Sequence, residues 1–122
     1  VSSDFKNLIA WQKAMDLVDE VYEVTKTFPR EEMFGLTSQL QRAAVSVASN
    51  IAEGQARFST PDFRRFLRMA RGSLAEVQTQ LLVAERRRYL TSPKCRALEE
   101  HIEELARIIN GLLRSLKEEP EA

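Results

Sequence analysis

A single cysteine, Cys95, excludes an internal disulfide and fits a reducing compartment. One histidine, His101, leaves no pair of imidazoles for a bundle metal site, where each Glu-x-x-His motif comes in duplicate. Four glycines and four prolines are too few for a protein of strands and tight turns. No apolar run approaches the ~20 residues of a membrane span. The opening VSSDFKNLIAW lacks the basic-then-apolar layout of a signal peptide, so the expectation is a cytoplasmic protein. Net charge is zero, from 18 basic and 18 acidic residues, which argues against a uniform polyanion binder. There is no Walker loop, dinucleotide fingerprint, zinc cysteine pair or serine elbow.

What remains is a chain of 122 residues with 43% apolar and 30% charged residues, the profile of one globular domain. Its apolar residues recur with helical period. The spacing predicts a helix over about 7–27, where Ala14, Leu17, Val21, Val24 and Phe28 step by three and four and Phe28-Pro29 forms the stop. A second is predicted over 31–56, with Gly35 marking an alternative late start and Gly54 near its end, a region where glycine is common. Leu36, Leu40, Ala43, Val47 and Ile51 form its seam. A third is predicted over 61–90, with Thr60 as cap and Pro61 at the first position. Phe63, Leu67, Ala70, Leu74, Val77, Leu81 and Ala84 run along it, and Gly72 suggests close approach of a neighbouring helix. A fourth, over 93–117, repeats the signal with Ser92 and Pro93, then Leu98, Ile102, Leu105, Ile109, Leu112 and Leu116. No segment alternates with period two, so no strand is expected.

Four amphipathic helices with short connections predict an all-α, up-down-up-down antiparallel four-helix bundle, residues 1–122 forming one domain. Apolar residues beside the seams (Leu8, Trp11, Met15, Phe66, Leu82, Ile108, Leu113) serve either a wide core or contacts between subunits. Trp11 and Phe66 are the candidates for an oligomer interface.

Two polar features stand out. Gln39, Arg42, Ser46, Asn50 and Glu53 share one face of the second helix. Short amides and hydroxyls in such a stripe suit a hydrogen-bond network within the bundle or between subunits, or else a polar binding surface. The charge distribution supplies the other feature: Phe58–Thr91 carries seven Arg against three acids. Arg64, Arg68 and Arg71 form a stripe, Arg65 flanks it and Arg57 precedes it. Guanidiniums at ~5–6 Å intervals suit the phosphates of a nucleic acid, or pair with acids such as Glu20, Glu23 and Glu53. Catalysis ranks last: Cys95 and His101 are six residues apart, ~240° around a helix, and no nucleophile has a base beside it.

These residues carry a resemblance. Trp11-Gln12-Lys13-Ala14, Phe28-Pro29, Phe34-Gly35-Leu36, Ser38-Gln39-Leu40, Arg42-Ala43-Ala44, Ser46, Asn50-Ile51-Ala52-Glu53-Gly54, Phe63, Phe66-Leu67 and Gly72-Ser73-Leu74-Ala75-Glu76 resemble the four-helix-bundle family of 23S ribosomal RNA intervening-sequence proteins. The likeness covers about Phe5 to Leu90; the fourth helix is similar in period only. It implies four antiparallel helices, often assembled as a ring-like homopentamer, with no catalytic residues. Similar bundles accessory to diversity-generating reverse transcriptases bind nucleic acid and the polymerase, but their motifs are not prominent here and that partner does not carry over. Ala48 departs from a proline frequent in the family, which implies a straighter second helix. The reading is a non-enzymatic, self-associating protein that binds RNA through Arg57, Arg64, Arg65, Arg68 and Arg71, without cofactor or metal; the alternative is a scaffold for a protein partner.

Overall fold

The computed structural model describes residues 4–116. Helices α1 (Ile9–Thr25), α2 (Leu36–Ala56), α3 (Thr60–Arg86) and α4 (Ser92–Ser115) form a four-helix bundle, and the described residues contain no strand. Each helix packs on the two beside it, α1 on α2 and α4, α3 on α2 and α4, and among the described residues the backbones do not approach closely across either diagonal. The α3–α4 pairing runs antiparallel: Arg71 bonds Asn110, and seven residues further along α3 Gln78 bonds Glu99.

The seams read from the sequence are the core. Ala14, Leu17 and Val21 of α1, Leu40, Val47 and Ile51 of α2, and all seven α3 seam residues are buried. The α4 seam holds through Ile109 and then rotates, so that Leu113 is buried while Leu112 and Leu116 are half-buried. Of the flanking apolar residues, Leu8, Trp11, Leu82 and Ile108 pack against the core, whereas Met15 is exposed. Close packing of so many Leu, Ile and Val side chains is the main stabilising contribution, at about 1.5–3 kcal/mol for each fully buried one.

The helix ends show how local chemistry sets the boundaries. The caps fall one residue before those expected: Ser59, not Thr60, accepts from the Asp62 amide, and Thr91, not Ser92, accepts from the Lys94 amide. The prolines therefore sit at the second helical position of α3 and α4. The second helix takes the late start. Arg30–Glu32 form a 3-10 turn, and Glu32 Oε1 accepts the Leu36 amide at 3.1 Å, satisfying one orphan donor of α2. The other oxygen of Glu32 accepts from the Tyr89 hydroxyl at 3.0 Å, tying this end to the α3–α4 connection. The first helix stops at Thr25, short of Phe28; the Thr25 hydroxyl turns back to the Val21 carbonyl at 2.9 Å and accepts from Gln41 of α2 at 3.0 Å.

Gly54 and Gly72 differ in role. Gly54 lies in the last turn of α2, and none of the glycines has a positive φ. The role of Gly54 is close approach: a Cβ there would stand 2.7 Å from Phe66 Cβ and 3.0 Å from Phe63 Cδ1. Gly72, expected to admit a neighbouring helix, is exposed, and a Cβ there would meet nothing within 4 Å. The left-handed positions belong to Phe58 (φ 60) and Arg88 (φ 63). Arg88 closes α3 in a Schellman arrangement, with Tyr89 N to Ala84 O at 2.9 Å and Arg88 N to Glu85 O at 3.0 Å. α2 is continuous through Ala48.

Candidate nucleic-acid interface

The polar stripe of α2 divides along its length. Ser46 Oγ lies 2.9 Å from Ser73 Oγ of α3, and Asn50 Nδ2 donates to both the Ser46 carbonyl (2.9 Å) and the Ser46 hydroxyl (3.1 Å). These three side chains form a small network between α2 and α3, partly buried, with Ser73 only 7% exposed. Gln39 and Arg42 lie on the exposed side and do not join it. Glu53 turns outward to Arg57, one turn on, at 2.9 Å. Arg42 instead borders a groove of about 480 Å³ with Tyr22, Ser38, Gln41, Val45 and Ser46.

The arginines of the second feature have separate duties. Arg64 is half-buried and donates to the Leu113 carbonyl. That carbonyl is among the last four of α4, which lack partners within the helix, so Arg64 caps α4 from outside and opposes the negative end of its dipole. Arg71 Nη1 donates to Asn110 Oδ1 at 2.9 Å. Together they line a cleft of about 390 Å³ between α3 and α4 with Asn110, Leu113 and Arg114. Arg57 and Arg65 converge elsewhere, with guanidinium carbons 5.1 and 4.6 Å from the centre of the Phe66 ring. Arg65 also makes a loose ion pair with Asp62 at 3.7 Å. Arg68 is exposed and has no hydrogen-bond or ion-pair partner among the described residues.

Of the acids expected to neutralise this face, only Glu53 does so. Glu20 contacts His101 across α1 and α4, and Glu23 pairs with Lys26, just past the end of α1, at 2.9 Å. Both Arg–acid contacts on the face are solvent-exposed, and such pairs contribute little, about 0–1 kcal/mol.

The two interface candidates are placed unequally. Trp11 is half-buried and meets Phe5 edge-on at 5.3 Å. Phe66 is only 7% exposed, wedged against Gly54 and roofed by the two guanidiniums, so it presents little area to a second subunit. Sequence reasoning gave no role of their own to Ser73, Asn110 and Arg114; the first two hydrogen-bond residues it had singled out, and Arg114 lines the cleft with Arg64 and Arg71. Only Ser73 left a signal, as a small polar residue on the edge of an apolar seam; the others follow from which helices are neighbours.

Reactive groups are few. Cys95 is fully buried beneath Leu81, and burial pushes its thiol pKa up, which keeps it protonated and unreactive. Among the described residues no three His, Cys, Asp or Glu side chains gather to hold a metal ion. No described helix is long and apolar enough to cross a membrane.

Comparison with known proteins follows this geometry. The family model described as 23S rRNA-intervening sequence protein matches residues 6–111. No curated protein matches the sequence. A crystal structure of a protein of unknown function from the S23 ribosomal protein family of Bacteroides thetaiotaomicron is similar in fold, with a TM-score of 0.80 at 19% identity. The similarity covers 87% of this chain and 99% of that one.

Proposed function

The chain belongs to the 23S rRNA-intervening sequence protein family, and on that premise we propose that it is a non-enzymatic, self-associating bundle that binds RNA through the exposed arginines of α3. One observation carries the reading: Arg65, Arg68 and Arg71 stand exposed along α3, with Arg68 unpartnered among the described residues and Arg65 held by a loose ion pair and by its contact with the Phe66 ring. Guanidiniums so placed exchange weak surface contacts for phosphate oxygens at little cost. Arg57 extends the strip past the helix start, and Arg64 and Arg71 lend their charge to the α3–α4 cleft. Arg42, though exposed, lies on another face of the bundle.

Binding through phosphates releases counterions, so affinity falls steeply as salt rises. Titration of structured RNA with purified protein at several salt concentrations tests this; absence of any salt-dependent shift overturns it. The proposed state is a homo-oligomer, a pentamer by resemblance to the family, in the cytoplasm. A monomer mass by light scattering at micromolar concentration would remove self-association.

A protein-binding scaffold is the second reading. It is favoured by the half-exposed Tyr22 and Val45 beside Arg42, an apolar pair on the far side of the bundle from the arginine cleft. Recovery of one protein partner after nuclease treatment supports it over RNA.

A further inference from the structure

Phe58 occupies the three-residue connection between α2 and α3, and its side chain is 69% exposed. Its φ of 60 places it in the left-handed region, where a Cβ crowds the following carbonyl and where glycine is at ease. The position is thus unfavourable for two separate reasons, an apolar ring in water and a strained backbone. Arg57 precedes it directly. Arg57 and Arg65 are both anchored on the Phe66 ring at the same end of α3. Four arginines, 57, 64, 65 and 68, face two carboxylates here, Glu53 and Asp62.

A flat apolar ring open to solvent within a cationic surround matches one ligand chemistry, an unpaired nucleotide. Its base has an aromatic face to stack and its phosphates are anionic. A duplex offers phosphates but keeps its bases stacked inside, so it has no use for the ring. We infer that Phe58 is a stacking platform for an unpaired base of a bound RNA, with Arg57 and Arg65 holding the flanking phosphates. The inference rests on the RNA-binding reading and adds that the preferred RNA is single-stranded, or carries a loop or bulge, at this turn.

The test compares a short labelled unstructured RNA with a labelled RNA duplex of equal length. Phe58→Gly removes the ring and relieves the backbone, so the fold stays intact and its melting temperature does not drop. The expected result is about tenfold weaker binding of the unstructured RNA, unchanged binding of the duplex, and near-normal binding of both by Phe58→Trp. Unchanged affinity of Phe58→Gly for the unstructured RNA, while Arg68→Ala weakens both RNAs, overturns the stacking role and leaves the RNA reading standing. Failure of the unaltered protein to bind either RNA removes both. A fall in oligomer mass on Phe58→Gly makes the ring a subunit contact and also overturns the proposal.

Discussion

The hydroxyls of Ser46 on α2 and Ser73 on α3 lie 2.9 Å apart and hold the two helices in register. Asn50 fixes the Ser46 side of the pair. Ser46→Ala and Ser73→Ala are each expected to cost about 1 kcal/mol. The double variant should cost less than the sum of the two, because one broken contact is counted in both. Urea unfolding of the four proteins measures the coupling; strict additivity would show that the hydroxyls do not interact in solution.

Gly54 and Gly72 should respond in opposite ways to the same substitution. Gly54→Ala drives a Cβ to 2.7 Å from Phe66 Cβ, and overpacking of this kind costs about 1–3 kcal/mol. Gly72→Ala meets open space on an exposed helical turn and should gain about 1 kcal/mol. Thermal melts of the two variants decide it. A loss at Gly72 would mean that another subunit occupies the space the single chain leaves open.

Arg88→Gly is expected to stabilise the protein by about 0.5–1 kcal/mol. The φ of 63 strains a side-chain-bearing residue, and glycine is the usual occupant of this place in a Schellman stop. A lowered melting temperature would show that Arg88 makes a compensating contact.

Arg64 and Arg68 are one helical turn apart but should separate in assay. Arg64→Ala leaves a terminal carbonyl of α4 without its donor and is expected to cost about 1–2 kcal/mol of stability. Arg68→Ala should leave the melting temperature unchanged and reduce the salt dependence of RNA binding by about one phosphate's worth. Equal effects of the two variants on stability would contradict the different contacts seen for them.

Acid should loosen the start of α4. The Ser92 hydroxyl, helped by Arg96, holds Glu85 below the usual carboxylate range despite some opposing desolvation. A carboxylate with its folded value lowered adds stability above its unfolded value, and that stability is lost as pH falls through the folded one. Glu85→Gln is therefore expected to flatten the acid side of the stability profile. An unchanged profile would show that the contact does not persist in solution.

Periodicity alone makes the bundle legible in the sequence. An apolar residue every three or four positions has only one face to bury, and all seven α3 seam residues are indeed buried. Boundaries were less legible, because a cap is decided by which hydroxyl reaches an amide. Ser59 and Thr60 are chemically interchangeable on paper, as are Thr91 and Ser92. The late start of α2 depends on Glu32, four residues upstream of the amide it serves. Membership of the α2 stripe could be read, but not its division into an inward pair and outward charges, since that depends on Ser73 from another helix. Likewise the arginines were visible as a row, while the separate commitment of Arg64 to α4 required knowing where α4 ends.

The guanidiniums of Arg57 and Arg65 lie over Phe66, which itself fills the space left by Gly54. Positive charge and the lid of the core are thus the same atoms. Lysine would keep the charge at either position but lose the planar cover. Selection acting on surface charge alone would then loosen this end of the bundle, and selection acting on robustness alone would preserve the charge as a by-product. A mutational scan scored only by retained complex would merge the two, so variants at these positions must be sorted by resistance to protease before their loss of binding is read as loss of contact.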